Sequence, residues 1–205
     1  MKQNPTDSRA RLCQELDFFA EKHPEQRGVA DNMKQFISNT PDCFERSHSQ
    51  GHITGSAWLV SPTGDKALLT LHRKLGRWLQ PGGHADGDSN PLRAALREAE
   101  EESGIKGIVA ISPEIFDIDI HQIPARPATG EPAHYHYDIR YLLQAPHEQF
   151  CVSEESDALA WWSQNDFISR ASDVDAAVIR MAERYFQSPP DFLFWTKQLS
   201  CVKEV

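Results

Sequence analysis

Residues Arg97-Glu98-Ala99-Glu100-Glu101-Glu102 set four carboxylates beside a single guanidinium. On a helix, Glu98, Glu101 and Glu102 stand at i, i+3 and i+4 and share one face. Like charges that close repel one another. A divalent cation reverses the sign of the problem, because hard Mg²⁺ or Mn²⁺ prefers carboxylate oxygens. A solvated acidic helix face is the plain alternative for an isolated run of this kind, so the residues upstream carry the decision.

Those residues describe a turn and a helix start. Trp78-Leu79-Gln80 reads as a short extended segment. Pro81-Gly82-Gly83 then forces a tight turn, where glycine lets the backbone approach a ligand closely. Asn90 before Pro91 is an N-cap with proline at the first helical position. Leu92, Ala95, Leu96 and Ala99 recur at helical spacing, away from the glutamate face. Gly104 is a natural stop. One side of this helix is therefore expected to pack and the other to bind, with Arg97, four residues before Glu101, orienting or neutralising part of the cluster.

The segment Gly83–Ile105, GHADGDSNPLRAALREAEEESGI, resembles the Nudix box, G-x5-E-x7-R-E-U-x-E-E-x-G-U, where U is a bulky apolar residue. Gly83 takes the first position, Arg97-Glu98 the R-E pair, Glu101-Glu102 the E-E pair and Gly104-Ile105 the end. Two positions depart: Ser89 stands where the first glutamate is expected, with Asp88 one residue early, and Ala99 is a small occupant of the first U. In that family the first glutamate mostly braces the loop and helix, so Ser89 weakens bracing more than it removes a metal ligand. The resemblance implies an α/β fold, an α/β/α sandwich around a mixed sheet, and hydrolysis of a diphosphate linked to another moiety. It implies that Glu98, Glu101 and Glu102 hold Mg²⁺ or Mn²⁺, joined by a backbone carbonyl at Gly82. It also implies an acidic residue from a late loop as general base or extra ligand, for which Glu154 and Glu155 are candidates, with Glu98 itself a third. The chemistry is coherent: anionic oxygens shield the phosphorus of a diphosphate from attacking water until cations offset their charge.

Around the box the chain divides near residue 48. Residues 1–47 are expected to form an N-terminal helical extension and residues 48–205 the Nudix-like domain. In the extension, Leu12, Leu16 and Phe19 mark one helix, and Val29, Met33 and Phe36 or Ile37 a second, separated by Pro24. Docking, covering the site, pairing two subunits or plain packing are all open to them. Residues 52–60 and 66–72 read as a hairpin across Ser61-Pro62-Thr63-Gly64. Arg73 and Lys74 follow close to the glycine turn, where they meet substrate phosphate or merely face solvent. Trp78 reads as a wall of the core more than as a base-stacking platform.

Past the box the period becomes two. Phe116, Ile118 and Ile120 alternate with Asp117, Asp119 and His121; later His134, His136, Asp138 and Arg140 share one strand face. A sheet with one wet face explains the first strand. His134, His136 and Asp138 are candidates to line the substrate cleft, or less readily to bind a second metal. His84 joins Gly83 as a substrate-side candidate beside the expected metal. A last helix is expected over roughly 172–186, with Ala177, Val178, Met181 and Tyr185 inward, then an apolar tail with Phe192, Phe194 and Trp195.

The chain of 205 residues has a formal net charge of −9, from 21 basic and 30 acidic residues, which argues against a general nucleic-acid surface. The four cysteines have no framework spacing, the first residues have no apolar leader, and no stretch approaches membrane-spanning length, so a reduced, cytoplasmic chain acting on a small-molecule diphosphate is expected. A homodimer is left open. Two rivals share the fold: an isopentenyl-diphosphate isomerase-like enzyme, disfavoured because no cysteine matches such a site, and a non-catalytic nucleotide or sugar-phosphate sensor, to which only Ser89 points.

Overall fold

A computed structural model describes residues 5–73, 75–126, 130, 132–152 and 156–188. Two helices come first, α1 (Pro5–Lys22) and α2 (Arg27–Asn39), with a 3-10 turn at Pro24–Gln26 between them. Strands β1 (Gly51–Val60), β2 (Lys66–His72), β3 (Arg77–Leu79) and β4 (Gly82–His84) lead into helix α3 (Pro91–Ser103). Strands β5 (Val109–Ile123), β6 (His134–Gln144) and β7 (Ser156–Ser163) follow, and then helices α4 (Gln164–Ser169) and α5 (Ala176–Gln187).

The seven strands make one mixed sheet. Its main path runs β3-β2-β1-β6-β5, with β4 also paired to β1 and β7 to β2. β1 and β6 are parallel, in register from Gly51–Tyr135 to Val60–Gln144. β1 is buried along its whole length, as expected for a central strand covered on both faces. The hairpin expected between β1 and β2 meets in register only at Val60–Ala67; β2 instead runs antiparallel to β7 for most of its length.

Alternation along β1 assigns the two faces. Ile53, Ala57 and Leu59 enter a core shared with Leu12, Leu16 and Phe19 of α1, Met33 and Ile37 of α2, and Ala95 and Ala99 of α3. Trp58 and Val60 enter the opposite core, with Phe167 of α4 and Val178, Met181 and Tyr185 of α5. Helices therefore lie on both faces of the sheet. On α2, Ile37 is the fully buried residue while Phe36 stacks on Tyr137 with ring centroids 3.8 Å apart. Trp78 forms part of a wall, 5.6 Å from the Trp162 ring, with the Arg170 guanidinium 5.5 Å above it.

The last helix starts later than its periodicity suggests. Ala171–Asp173 is a 3-10 turn, and the Asp175 carboxylate caps α5 by accepting from the Val178 amide at 2.8 Å. A larger difference concerns the polar face of β5, expected to be wet. Asp117 is fully buried there, beneath α5, with Arg180 and Arg184 of that helix on its carboxylate. Alternation reveals which residues share a face; it does not reveal that a helix will cover the polar one with its own arginines.

Among the described residues Cys13, Cys43 and Cys151 are free thiols, and no helix is long and apolar enough to cross a membrane. Phe192, Phe194 and Trp195 lie outside the described residues.

Candidate functional site

Helix α3 is fixed at both ends by its own sequence. The Asn90 side chain accepts from the Leu92 amide at 3.1 Å, Pro91 occupies the first turn, and Gly104 ends the helix at φ 69° with its amide on the Glu100 carbonyl. Ala94, Ala95 and Ala99 are buried against β1. The approach is close at Gly55, where a Cβ would stand 2.3 Å from the Pro91 carbonyl oxygen. Packing thus sets the rotation of α3, and its glutamates turn toward β4.

There Arg97 organises three partners. Its Nη1 donates to Glu98 Oε1 at 2.7 Å and reaches Glu101 Oε2 at 3.4 Å, while Nη2 donates to the His84 carbonyl at 2.7 Å. Glu102 is held separately: its Oε1 accepts from the Gly82 amide at 2.8 Å. Gly83 leaves room for Glu98, since a Cβ there would lie 2.5 Å from the carboxylate carbon. The paired glycines Gly82 and Gly83 are thus required by two close approaches, the other being Gly82 against the Ser56 side chain. Burial pushes the Glu98 carboxyl above its ordinary range, against the opposing pull of Arg97. Glu101 is exposed.

This donor set fits a hard divalent ion. Two carboxylates converge on one guanidinium nitrogen, a third is pinned alongside, and three acidic groups face one basic group. The desolvated Glu98 carries an electrostatic cost that a cation offsets.

The substrate-side candidates have separate fates. His84, His134 and His136 gather on the face of β4 opposite Glu98. Their rings pack at 5.2 Å for His84–His136 and again for His134–His136, and the last two approach Nε2 to Nε2 at 3.3 Å. His52, which sequence reasoning passed over, stands among them. It pairs with His136 across β1 and β6, and its ring lies 4.9 Å from His84. His121 closes the group from β5, opposite His136, with its Nδ1 3.2 Å from Asp119. The signal for this group was strand register: a parallel β1–β6 pair places His52 beside His136, and single-strand periodicity carries no such information.

Burial, with the neighbouring imidazoles adding to it, pushes His136 down to about 2 and His52 to about 4. Both rings are neutral at physiological pH. Asp138, in contrast, has both oxygens occupied. Thr54 and Ser56 donate to one at 2.8 and 2.7 Å; Arg140 donates to the other at 2.7 Å, with Gln80 at 3.4 Å. Burial would raise the Asp138 carboxyl, but Arg140 and neighbouring charge outweigh it and hold it below the ordinary carboxylate range.

Arg73 is exposed and bound to Asp157 at 2.8 Å and to the Ser156 carbonyl. Lys74, Glu154 and Glu155 lie outside the described residues. Ser89, at the position where the box expects glutamate, donates to Ser8 of α1 at 3.1 Å, so the N-terminal helix braces this loop. Asp88, one residue earlier, accepts from the Asn90 amide at 2.9 Å and pairs with Arg93.

Comparison with known proteins places these observations. A model of the NUDIX domain matches residues 52–182. A probable DHNTP pyrophosphohydrolase of Lactococcus lactis subsp. cremoris is 30% identical over 90 residues, 44% of this chain and 53% of that protein. Phosphatase NudJ of Shigella boydii is 30% identical over 114 residues, 54% of this chain and 67% of that protein. The chain thus spans about half the length of the first relative and two thirds of the second. Among solved structures, the MutT protein of Methanosarcina mazei superposes with a TM-score of 0.51 at 18% identity, over 68% of this chain and 96% of that one, a likeness of fold.

Proposed function

The chain belongs to the NUDIX family, and on that premise we propose that it is a pyrophosphohydrolase that uses Mg²⁺ or Mn²⁺ to cut the diphosphate of a nucleoside diphosphate linked to another moiety, such as ADP-ribose or a nucleoside triphosphate. The observation that carries the proposal is the convergence of Glu98 and Glu101 on Arg97, with Glu102 pinned to the Gly82 amide alongside. Glu98, Glu101 and Glu102 would hold the ion, with the Gly82 carbonyl as a fourth donor. A bound divalent ion supplies offset of phosphate charge, stabilisation of the leaving phosphate and a lowered pKa for water.

The chain's own groups do the remaining work. Arg97 holds the Glu98 and Glu101 carboxylates in place and ties them to β4 through the His84 carbonyl. The Gly82 amide orients Glu102. Gly83 keeps a path open between β4 and Glu98, because any side chain there would fill the carboxylate's place. Proton removal from the attacking water falls to a carboxylate. Glu98 is the described candidate, since burial already raises its pKa; Glu154 and Glu155, just ahead of β7 in the sequence, are the others. His84, His134 and His136 form the wall on the far side of β4.

A panel assay tests this reading. The purified protein is incubated with Mg²⁺ or Mn²⁺ and ADP-ribose, nucleoside triphosphates, DHNTP (the compound in the name of the Lactococcus relative) and non-nucleotide diphosphates, with phosphate-containing products followed. Cleavage of one class, lost in Glu101→Gln, supports the hydrolase. Tight binding without cleavage of any compound would favour the sensor, a reading for which Ser89 is the one departure that speaks.

A further inference from the structure

The box accounts for the glutamates of α3, but five histidines on the opposite face of β4 have no part in that chemistry. We propose that His52, His84 and His136 form a second metal centre, selective for an imidazole-preferring divalent ion of the Zn²⁺ class and separate from the glutamate cluster.

Three strands build it. β1 supplies His52, β4 His84 and β6 His136, and one ring nitrogen from each lies within 4.8 Å of the others. Their backbones are tied by sheet pairing: His52 is in register with His136, and His84 is paired with Thr54. The positions therefore do not depend on a loop.

His52 supplies the second, independent observation. It is 2% exposed, and neither ring nitrogen makes a well-formed hydrogen bond among the described residues, a weak backbone interaction at His48 aside. Burying an unsatisfied polar group is costly, and native proteins rarely leave one without a purpose. Coordination of an ion satisfies it.

The neighbours are arranged as outer-shell partners. His134 Nδ1 lies 2.9 Å from the Pro132 carbonyl, so its proton belongs on that nitrogen and its Nε2 lone pair faces the group. That Nε2 stands 3.3 Å from His136 Nε2. His134 therefore borders the group as a hydrogen-bond partner of His136, outside the three converging ligands. His121 pairs with Asp119 in the carboxylate–histidine manner that orients imidazoles around zinc.

Selectivity follows from donor type. Neutral imidazole suits Zn²⁺, Cu²⁺ and Ni²⁺, whereas Mg²⁺ and Mn²⁺ prefer carboxylate oxygen. The two centres lie back to back across β4, linked through His84: its ring belongs to one, and its carbonyl accepts from Arg97 of the other.

Calorimetry and Co²⁺ absorption test the proposal on the full chain, stripped by chelator, with Glu98, Glu101 and Glu102 changed to Gln to silence the other cluster. The expected result is one equivalent of Zn²⁺ bound in this background, not displaced by equimolar Mg²⁺, and visible Co²⁺ bands of nitrogen coordination. His136→Ala should weaken Zn²⁺ binding by more than about 100-fold, beyond the cost of losing an outer-shell partner. His84→Gln, on a short strand, provides a second variant should His136→Ala fail to fold. Absence of Zn²⁺ binding in the silenced background, or unchanged affinity in either folded histidine variant, would overturn the proposal. The state of the glutamate cluster does not enter, so failure here is distinguishable from failure of the hydrolase reading.

Discussion

Two clusters of charge lie in this sheet, and they differ in balance. Around Arg140, three guanidinium groups (Arg140, Arg180, Arg184) meet three strand carboxylates (Asp117, Asp119, Asp138), with Glu25 on Arg184 at the exposed rim, and Arg140 and Asp117 are almost wholly buried. On α3, two carboxylates share the Arg97 guanidinium at a half-exposed surface, and a third, Glu102, rests on the Gly82 amide beside them. The first cluster is complete as it stands. It joins β5 and β6 to α5, and through Arg184 to Gln26 in the turn after α1, so its charge holds elements together. The second holds more carboxylates than guanidinium groups among the described residues, and the proposed cation would offset that excess. On the proposed reading, identical residue types act as structure where their charges cancel and as chemistry where they do not.

The comparison breaks most sharply on activity. Glu98→Gln, Glu101→Gln and Glu102→Gln should each lower turnover by roughly 10³-fold, the loss of several kcal/mol of charge stabilisation. Their melting temperatures in chelator should hold or rise, since each removes repulsion; a melting temperature that collapses in all three would mean that the α3 cluster is structural as well. Removing one partner from the balanced cluster should do the reverse. Arg140→Leu takes the guanidinium from buried Asp138 and one of three from Asp117, and should cost about 3–5 kcal/mol in urea unfolding. An unchanged unfolding midpoint would show that Arg180 and Arg184 suffice. Gly83→Ala tests placement alone: its Cβ displaces the Glu98 carboxylate, and an error of about 1 Å costs on the order of 10²-fold in rate. Wild-type turnover in that variant would remove Glu98 from the machinery.

The smallest effect is on pH. Charge partners hold the Asp119 and Asp138 carboxyls below their ordinary range, in each case against burial. Their folded pKa values therefore lie below the unfolded ones. The stability they contribute is present above the unfolded value of about 3.9 and is lost as pH falls through the folded values, at up to about 1.4 kcal/mol per pH unit for each group. Melting temperature followed from pH 5 downward should fall below about pH 4 in the wild type, and less steeply in Asp138→Asn.

How much of this was legible in the chain depends on whether a feature is local. Asn90, Pro91 and Gly104 state the ends of α3, and the i, i+3, i+4 spacing states its acidic face, because caps and helix periods need nothing beyond their own residues. The seven-stranded mixed sheet with helices on both faces follows from the resemblance carried by those same residues. The balanced cluster was only half visible. Asp117, Asp119, Asp138 and Arg140 read as polar strand faces, but Arg180 and Arg184 lie more than 60 positions from Asp117, and their approach is set by tertiary packing. His52 was missed for a similar reason, since its neighbours are chosen by a parallel register that a single strand cannot announce. Ser89 read as a weakened brace; its bond to Ser8 ties that loop to α1.

The most direct test is a Mn²⁺ titration followed by electron paramagnetic resonance on the wild type and on the double variant Glu98→Gln/Glu101→Gln, with melting temperatures matched beforehand. The wild type should deplete the free Mn²⁺ signal and the double variant should leave it largely intact. Equal uptake of Mn²⁺ by both folded proteins would contradict the assignment of the ion to the unbalanced carboxylates of α3.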